Sequence, residues 1–136
     1  MDFNLMTRWQ PQLLALLRIV TALVFMEHGT AKLFQFPVAQ PGAPDPLPTL
    51  LLAAALIELV CGVLVALGLF TRLAAFIAAG EMAVAYFMGH FPRGFWPIVN
   101  QGGEAILLCF IFLYLAAAGA GAFSIDAARA RHAPIR

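Results

Sequence analysis

The stretch TLLLAAALIELVCGVLVALG at residues 49–68 decides the fold, because Glu58 is its one charge and its length suits a bilayer-crossing helix. Such a helix needs about 20 predominantly apolar residues. The rest of the chain has the same character. Of its 136 residues, 62% are hydrophobic and 11% are charged, and the mean hydropathy is +0.89. Soluble domains are about 45–50% apolar and about 25% charged. We therefore predict an integral membrane protein of one domain, residues 1–136.

Three further stretches fit the same description, which gives predicted spans at about residues 12–35, 49–68, 72–90 and 101–119. The proline-rich linker VAQPGAPDPLPT separates the first two. We expect Gly68 to end the second helix, Thr71 to cap the third and Asn100 to cap the fourth. The tail SIDAARARH predicts a short interfacial helix. The predicted fold is all-α, an integral membrane four-helix bundle in contact with the lipid bilayer.

Basic residues are distributed unevenly between the two ends of these spans. Those at the N-terminus, second loop and tail are Arg8, Arg72, Arg129, Arg131 and Arg136, and those at the opposite end are Lys32 and Arg93. The positive-inside rule then places both termini in the cytoplasm. The first apolar run is longer than the core of a typical signal peptide, so we expect it to be retained as a span. The net charge of +1 gives no support to nucleic-acid binding.

Two cysteines, Cys61 and Cys109, lie in apolar runs without a CxxC pattern. We expect them to be small buried side chains, with a disulfide or redox pair as the alternative. One histidine with carboxylates at scattered spacing is a weak metal signal, so no metal site is predicted.

Every predicted span carries a glutamate, and the first span adds three further ionisable residues. The glutamates are Glu27, Glu58, Glu81 and Glu104, and the additions are Arg18, His28 and Lys32. An ionisable residue at the bilayer centre costs at least about 2.5–3.5 kcal/mol on insertion scales. Seven of them would oppose insertion unless they were paired, protonated or hydrated. The sequence therefore predicts a shared polar pocket inside the bundle.

Helical periodicity places Arg18, His28 and Lys32 on one sector of the first helix, which we expect to face the interior. Glu27 falls nearly opposite Arg18. It is expected to face a neighbouring helix edge, a second subunit or the interface, or to stay protonated. The ionisation states of Glu27 and Glu81 stay open.

Depth along the spans suggests which groups meet. Glu58 is expected to pair with His28 near the midplane, and Lys32 with Glu104 nearer the outer end. Asn100 and Gln101 would lie beside the outer pair, and His90 and Arg93 would cover the outer mouth. We therefore predict that His28, Lys32, Glu58 and Glu104 bind a ligand or relay protons, with Arg18, Asn100, Gln101, Arg93 and His90 in support.

Simpler roles remain open for several of these residues. Lys32 would then only extend its amine toward the interface, and Glu104 would only complement the N-terminal dipole of its helix. Arg18 would contact nothing but water and backbone, and His28 would be structural. Phe95 and Trp96 suit interfacial anchors.

Four stretches of the chain together carry a family resemblance: LLRIVTALVFMEHGTAKLF at 16–34, LIELVCGVLVALGLFTRLAA at 56–75, MAVAYFMGHFPRGFWP at 82–97 and NQGGEAILL at 100–108. With these stretches the sequence resembles the DoxX family of small four-helix bacterial membrane proteins. The family pattern maps onto Arg18, His28, Gly29, Lys32, Glu58, Gly62, Gly68, Thr71, Arg72, Gly103 and Glu104. Two residues depart from that pattern. Glu27 stands where the family usually has an apolar or aromatic residue, and Glu81 is the second departure.

The resemblance implies a multi-pass subunit of the bacterial inner membrane linked to redox chemistry, since family members are tied to quinone-dependent thiosulfate oxidation and to oxidative-stress assemblies. We expect a quinone as candidate ligand, no covalently bound cofactor, and a protein partner or homo-oligomer in the membrane. No haem, flavin, iron–sulfur or dinucleotide motif is present, so the chain is not expected to be a complete enzyme. A small-solute or proton binder or transporter, and a structural or assembly subunit, are the alternatives.

Overall fold

The computed structural model describes residues 4–132, and within this range every regular element is helical. Arg136, which enters the orientation argument, and both ends of the predicted domain lie outside the described residues. The helices are α1 (Asn4–Thr7), α2 (Gln10–Phe34), α3 (Thr49–Leu67), α4 (Thr71–Ala85), α5 (Pro97–Asn100), α6 (Gly103–Ala118) and α7 (Ile125–Arg131). After α4 the chain continues as a π-helix, Tyr86–His90, and a 3₁₀ turn, Phe91–Arg93.

Between residues 4 and 132, three helical runs are long and apolar enough to cross a membrane: Gln10–Phe34, Thr49–Leu67 and Thr71–Arg93. They match the first three predicted spans to within about three residues. The fourth apolar helix, Gly103–Ala118, is shorter than the stretch predicted for it. Its start is delayed because α5 and a left-handed Gln101 occupy the residues just before it.

Packing joins the four apolar helices in two main pairs. α2 lies along α3, α4 lies along α6, and α3 and α4 are neighbours through their short connection. In the core, the Phe25 and Phe112 rings meet edge to face with centroids 4.7 Å apart. Large apolar side chains cover the outside, including Leu56, Phe76 and Phe110. An apolar exterior around a small packed core is the arrangement expected for association with a lipid bilayer.

A glycine allows the close approach of α2 to α3. A Cβ atom on Gly29 would lie 2.9 Å from Leu59 Cγ, 3.0 Å from the Ala55 carbonyl oxygen and 3.1 Å from Glu58 Cβ. The contact therefore fixes α2 at the level of Glu58, and a larger residue would force the two helices apart.

We expect Gly29→Ala to destabilise the protein by about 1–3 kcal/mol, because backbone and Cβ atoms on α3 cannot move aside. Gly80→Ala on α4 is the matched control, since a Cβ there meets nothing within 4 Å. The control should be neutral or stabilising by up to about 1 kcal/mol. Reversible denaturant unfolding in bicelles measures both, and equal effects at the two positions would contradict the steric argument.

Arg18 organises one end of the molecule, which we call the Arg18 end. Its side chain is fully buried and donates five hydrogen bonds to backbone carbonyls. The acceptors are Val65 and Ala66 at the end of α3, and Ala120, Ala122 and Phe123 after α6. The last carbonyls of a helix have no partner within it, so one guanidinium satisfies both the α3 terminus and the loop that follows α6.

Two further charges bind helix termini at the Arg18 end. Arg72 donates to the carbonyls of Ala116 and Ala117 in the last turn of α6. The Asp126 carboxylate, on α7, accepts from the backbone amides of Phe70 and Thr71 at 3.0 and 2.9 Å. The prediction that Thr71 itself caps α4 is therefore wrong, because residue 70 is the N-cap and the capping group comes from the tail.

Of the other predicted caps, Gly68 is confirmed as the C-cap of α3, with φ +67°. Asn100 is wrong as the N-cap of α6, since Gly102 holds that position. The Asn100 side chain nevertheless accepts a hydrogen bond from the Gly102 amide at 2.7 Å. The tail helix is confirmed as α7, and the Ser124 hydroxyl accepts from the Ala127 amide at 3.1 Å.

Burial raises the pKa of Asp126, but hydrogen bonds from Thr71 and Phe70 and the charge of Arg129 outweigh it and leave the pKa below its usual 3.8. A lowered pKa means that the ionised group stabilises the fold above pH 3.8, and that this contribution is lost as the pH falls through the lowered value. We expect Asp126→Ala to cost about 0.5–1 kcal/mol at pH 7, since screening near the surface limits the gain. Unfolding of both proteins at pH 7 and pH 3 should show the difference shrinking in acid, and a constant difference would contradict it.

Candidate functional site

An ion pair between α2 and α3 forms the centre of the site. The Lys32 ammonium donates to Glu58 Oε1, and the two side chains are only 7% and 1% exposed. Gly29, one turn before Lys32, lets the two helices approach closely enough for this contact. A buried ion pair is costly to desolvate, so both charges depend on each other for stability.

The pairing expected from depth alone is wrong. Lys32 binds Glu58 instead of Glu104, and His28 lies beside Glu104 instead of pairing with Glu58. The reason is the direction of side chains in a helix, which lean toward its N-terminus. The long Lys32 side chain therefore reaches back along α2 to the level of Glu58.

His28 and Glu104 form a second, more exposed pair between α2 and α6. His28 Nε2 lies 3.7 Å from Glu104 Oε1, and the side chains are 37% and 54% exposed. The other ring nitrogen, Nδ1, lies 3.1 Å from the Val24 carbonyl oxygen. The interior sector predicted for α2 thus holds Arg18 and Lys32, whereas His28 lies at its edge. His28 and Lys32 are one helical turn apart on α2, so an exposed pair and a buried pair lie at neighbouring levels of this helix.

Glu81 on α4 brings a third carboxyl group near the buried pair. It lies within electrostatic range of both Glu58 and Lys32. One oxygen of each acid, Glu58 Oε2 and Glu81 Oε2, is buried and has no hydrogen-bond partner among residues 4–132. Buried polar atoms normally have a partner. These two oxygens are therefore free to accept a proton or a hydrogen bond from a bound group.

The segment between α4 and α6 is held together by side-chain hydrogen bonds. Buried Asn100 donates to the Gly94 carbonyl at 2.8 Å and to the Tyr86 hydroxyl at 3.3 Å. His90 Nδ1 lies 3.1 Å from the Asn100 carbonyl oxygen, and Arg93 donates to the Gly89 carbonyl. The supporting residues predicted here therefore hold one another and their own backbone.

Sequence reasoning missed Tyr86 and the π-helix that carries it. Pro92 gives the signal that was available, because it cannot continue an α-helix and forces the preceding turn to change. Gln101, also predicted as supporting, is exposed and has a left-handed backbone at φ 59°.

The remaining predicted residues lie away from this centre. Arg18 is at the opposite end of α2, and Glu27 is exposed on the side of α2 that faces away from the core. Two surface grooves, of about 510 and 420 Å³, also lie at the Arg18 end. The first is lined by Phe70–Leu73, residues 118–121 and parts of the tail, and the second by the start of α2 together with Tyr114.

Cys61 is buried, Cys109 is half-buried, and both are free thiols, so the disulfide alternative is wrong. Between residues 4 and 132, no group of three or more His, Cys, Asp or Glu side chains is placed to hold a metal ion.

The DoxX family profile matches residues 13–91, more than half of the chain. This chain belongs to the DoxX family. The matched range includes α3, α4 and all but the first three residues of α2, and therefore Lys32, Glu58 and Glu81 as well as Arg18. Membership and the apolar helices together identify a DoxX membrane protein. The chain is also 46% identical over 130 residues to an uncharacterised protein of Haemophilus influenzae, covering 90% of this chain and 95% of that protein. No solved structure was found to match it.

Proposed function

We propose that this DoxX protein is an integral membrane subunit of a redox system, with a quinone headgroup bound at the Lys32–Glu58–Glu81 centre. The observation that carries the proposal is the pair of buried carboxyl oxygens without partners, in the described part of the chain, beside a buried ammonium group. A quinone carbonyl accepts a hydrogen bond, which Lys32 can donate, and a quinol hydroxyl donates one, which a carboxylate can accept.

Proton exchange with the surface would pass through the His28–Glu104 pair. The two ring nitrogens of a histidine can donate and accept hydrogen bonds, and His28 Nε2 lies 3.7 Å from Glu104 Oε1, so a proton can be passed between the two side chains. Reduction of a quinone to a quinol takes two electrons and two protons. We propose that the chain's acids and His28 handle the protons, while a partner protein brings the cofactor that handles the electrons.

The membrane arrangement belongs to the same proposal. We place the four apolar helices across the bacterial inner membrane as a bundle with both termini cytoplasmic. Arg8, Arg72, Arg129 and Arg131 lie toward the Arg18 end, which would face the cytoplasm. The 16-residue α6 would span together with α5 and the backbone that joins them.

An assembly or structural subunit is the second candidate. It is favoured by the near-complete burial of Lys32 and Glu58, which is what a pair that fixes helix register would show. Under this alternative, acid-to-amide changes at the centre would leave the host complex active as long as the protein assembles.

Quinone retention tests the redox proposal. The full chain, purified in native lipid, should carry quinone, and a short-chain quinone added to delipidated protein should raise its thermal stability. Glu58→Gln and Glu81→Gln should each lower retention about tenfold, the value of one charge-assisted hydrogen bond. Asp126→Asn, the same chemical change at the Arg18 end, is the control and should retain quinone normally. If the purified protein carries no quinone and added quinone does not raise its thermal stability, the proposal is contradicted.

A further inference from the structure

The side of α2 that points away from the core carries a carboxylate in an otherwise apolar row. We call this row the outward α2 face: Leu13, Leu16, Val20, Leu23, Glu27 and Phe34, all exposed. The residues recur at steps of three, four and seven, as in helices that pack in parallel. On α3 the corresponding outward row is Leu52, Leu56, Val60, Val63 and Leu67, which is apolar throughout. Glu27 is therefore what distinguishes the α2 row from a lipid-facing surface.

Glu27 lies too deep in the membrane for water at the surface to hydrate its carboxyl group. It is about 10 Å from the Phe34 end of α2 and about 25 Å from the Gln10 end, at 1.5 Å per residue. That position is inside a hydrocarbon layer about 30 Å thick that is centred on the helix. Lipid offers no hydrogen-bond partner, so even the protonated acid would be left unsatisfied there.

No group in the described part of the chain satisfies this carboxyl. Within residues 4–132, the backbone carbonyl of Glu27 accepts a hydrogen bond from the Thr30 hydroxyl, and the Glu27 carboxyl group makes none. The neighbouring cations are engaged elsewhere, since His28 lies beside Glu104 and Lys32 binds Glu58. Among residues 4–132 the Glu27 carboxyl group therefore has no partner, and a second molecule could supply one.

A second copy of the chain supplies a complementary group at the right depth. Both copies insert with the same orientation, so a two-fold axis along the membrane normal would set α2 parallel to its counterpart. Each residue near that axis then faces its own counterpart. A carboxylic acid donates a hydrogen bond and a carboxylate accepts one, so two glutamates that share one proton are complementary as donor and acceptor. Polar groups of this kind join helices in membranes and fix their register.

We infer that this protein self-associates along the outward α2 face, with Glu27 of one copy hydrogen-bonded to Glu27 of the second. The inference does not depend on quinone binding, because it concerns the side of α2 opposite to the buried centre. The arrangement places the His28–Glu104 pairs of the two copies on either side of the seam.

Disulfide cross-linking in isolated membranes tests the surface. Leu23→Cys, one turn from Glu27 on the seam, should form a covalent dimer of this chain on mild oxidation. Val60→Cys on the outward row of α3 is the matched control and should stay monomeric, and the native chain with Cys61 and Cys109 gives the background. A Val60→Cys dimer equal to that of Leu23→Cys would overturn the inference. So would cross-linking of Leu23→Cys to a protein of different mass, or no cross-link at all.

Substitution at Glu27 tests the hydrogen bond itself. In the Leu23→Cys background reconstituted in liposomes, Glu27→Leu should weaken dimerisation about 3- to 30-fold, the range expected for one hydrogen bond between membrane helices. Glu27→Gln, whose amide both donates and accepts, should stay within about threefold of the parent. Neither variant removes a core contact, so both should insert and fold. Equal dimer fractions for Glu27→Leu and the parent would overturn the role of the carboxyl group.

Discussion

Arg18→Met is expected to lower the free energy of unfolding by about 3–5 kcal/mol, which is at the upper end of what single substitutions do. The change removes the donor for five backbone carbonyls that meet in a fully buried position. A buried acceptor left without a partner costs about 1–3 kcal/mol, and partial rehydration keeps the total below the sum. Steric trapping or denaturant unfolding in bicelles would measure the loss.

Two comparisons make this prediction specific. Arg8→Met removes an arginine that is exposed near the start of α2, so its effect should stay within about 0.5 kcal/mol. Arg18→Lys keeps the charge but offers three donors from one nitrogen instead of a planar fork, so it should recover only part of the loss. Full recovery of stability by Arg18→Lys would show that the positive charge alone, and not the five hydrogen bonds, stabilises the Arg18 end.

The second large effect concerns the Lys32–Glu58 pair. Lys32→Met alone or Glu58→Leu alone should destabilise the protein by about 3–5 kcal/mol, because each leaves one buried charge uncompensated. The double variant should recover most of that loss, since two apolar side chains of similar size carry no desolvation cost. A double-mutant cycle of unfolding free energies measures the coupling.

The double variant also separates the two functional candidates. A folded protein that has lost quinone retention would support the redox proposal. A folded double variant with full activity of the host complex would favour the assembly role. A double variant as unstable as either single change would contradict the account of the pair as mutually dependent charges.

Much of the fold follows from apolar patterning, and the helix bounds show how far this goes. Runs of apolar residues with proline or glycine at their ends place α2 and α3 to within a few residues, and Gly68 ends α3 as predicted. The caps were harder to predict. Thr71 has the chemistry of a cap, but Asp126, 55 residues later, occupies that role. Contacts of this range depend on how the helices pack, which local sequence does not specify.

The site was predicted as a set of residues but not as a set of pairs. Ionisable residues inside apolar spans are costly to insert into a membrane without partners. The sequence therefore indicates His28, Lys32, Glu58 and Glu104 as site residues. Which partner each one finds depends on side-chain length and direction, and this is why Lys32 and His28 exchange their expected acids. The acceptors of Arg18 could not be predicted, because any backbone carbonyl can accept a hydrogen bond and none is marked by its side chain.

The positions of the Arg18 acceptors in the sequence also determine when its hydrogen bonds can form during synthesis. Three of them belong to Ala120, Ala122 and Phe123, more than 100 residues after the arginine itself. A ribosome delivers those carbonyls only after it has added more than 100 residues after Arg18. A nascent chain halted before residue 120 therefore holds the Arg18 cation in α2 without three of its five acceptors. Until those residues are added, the buried guanidinium lacks the partners that join α2 to the loop after α6, so this end of the molecule can form only after α6 has been made.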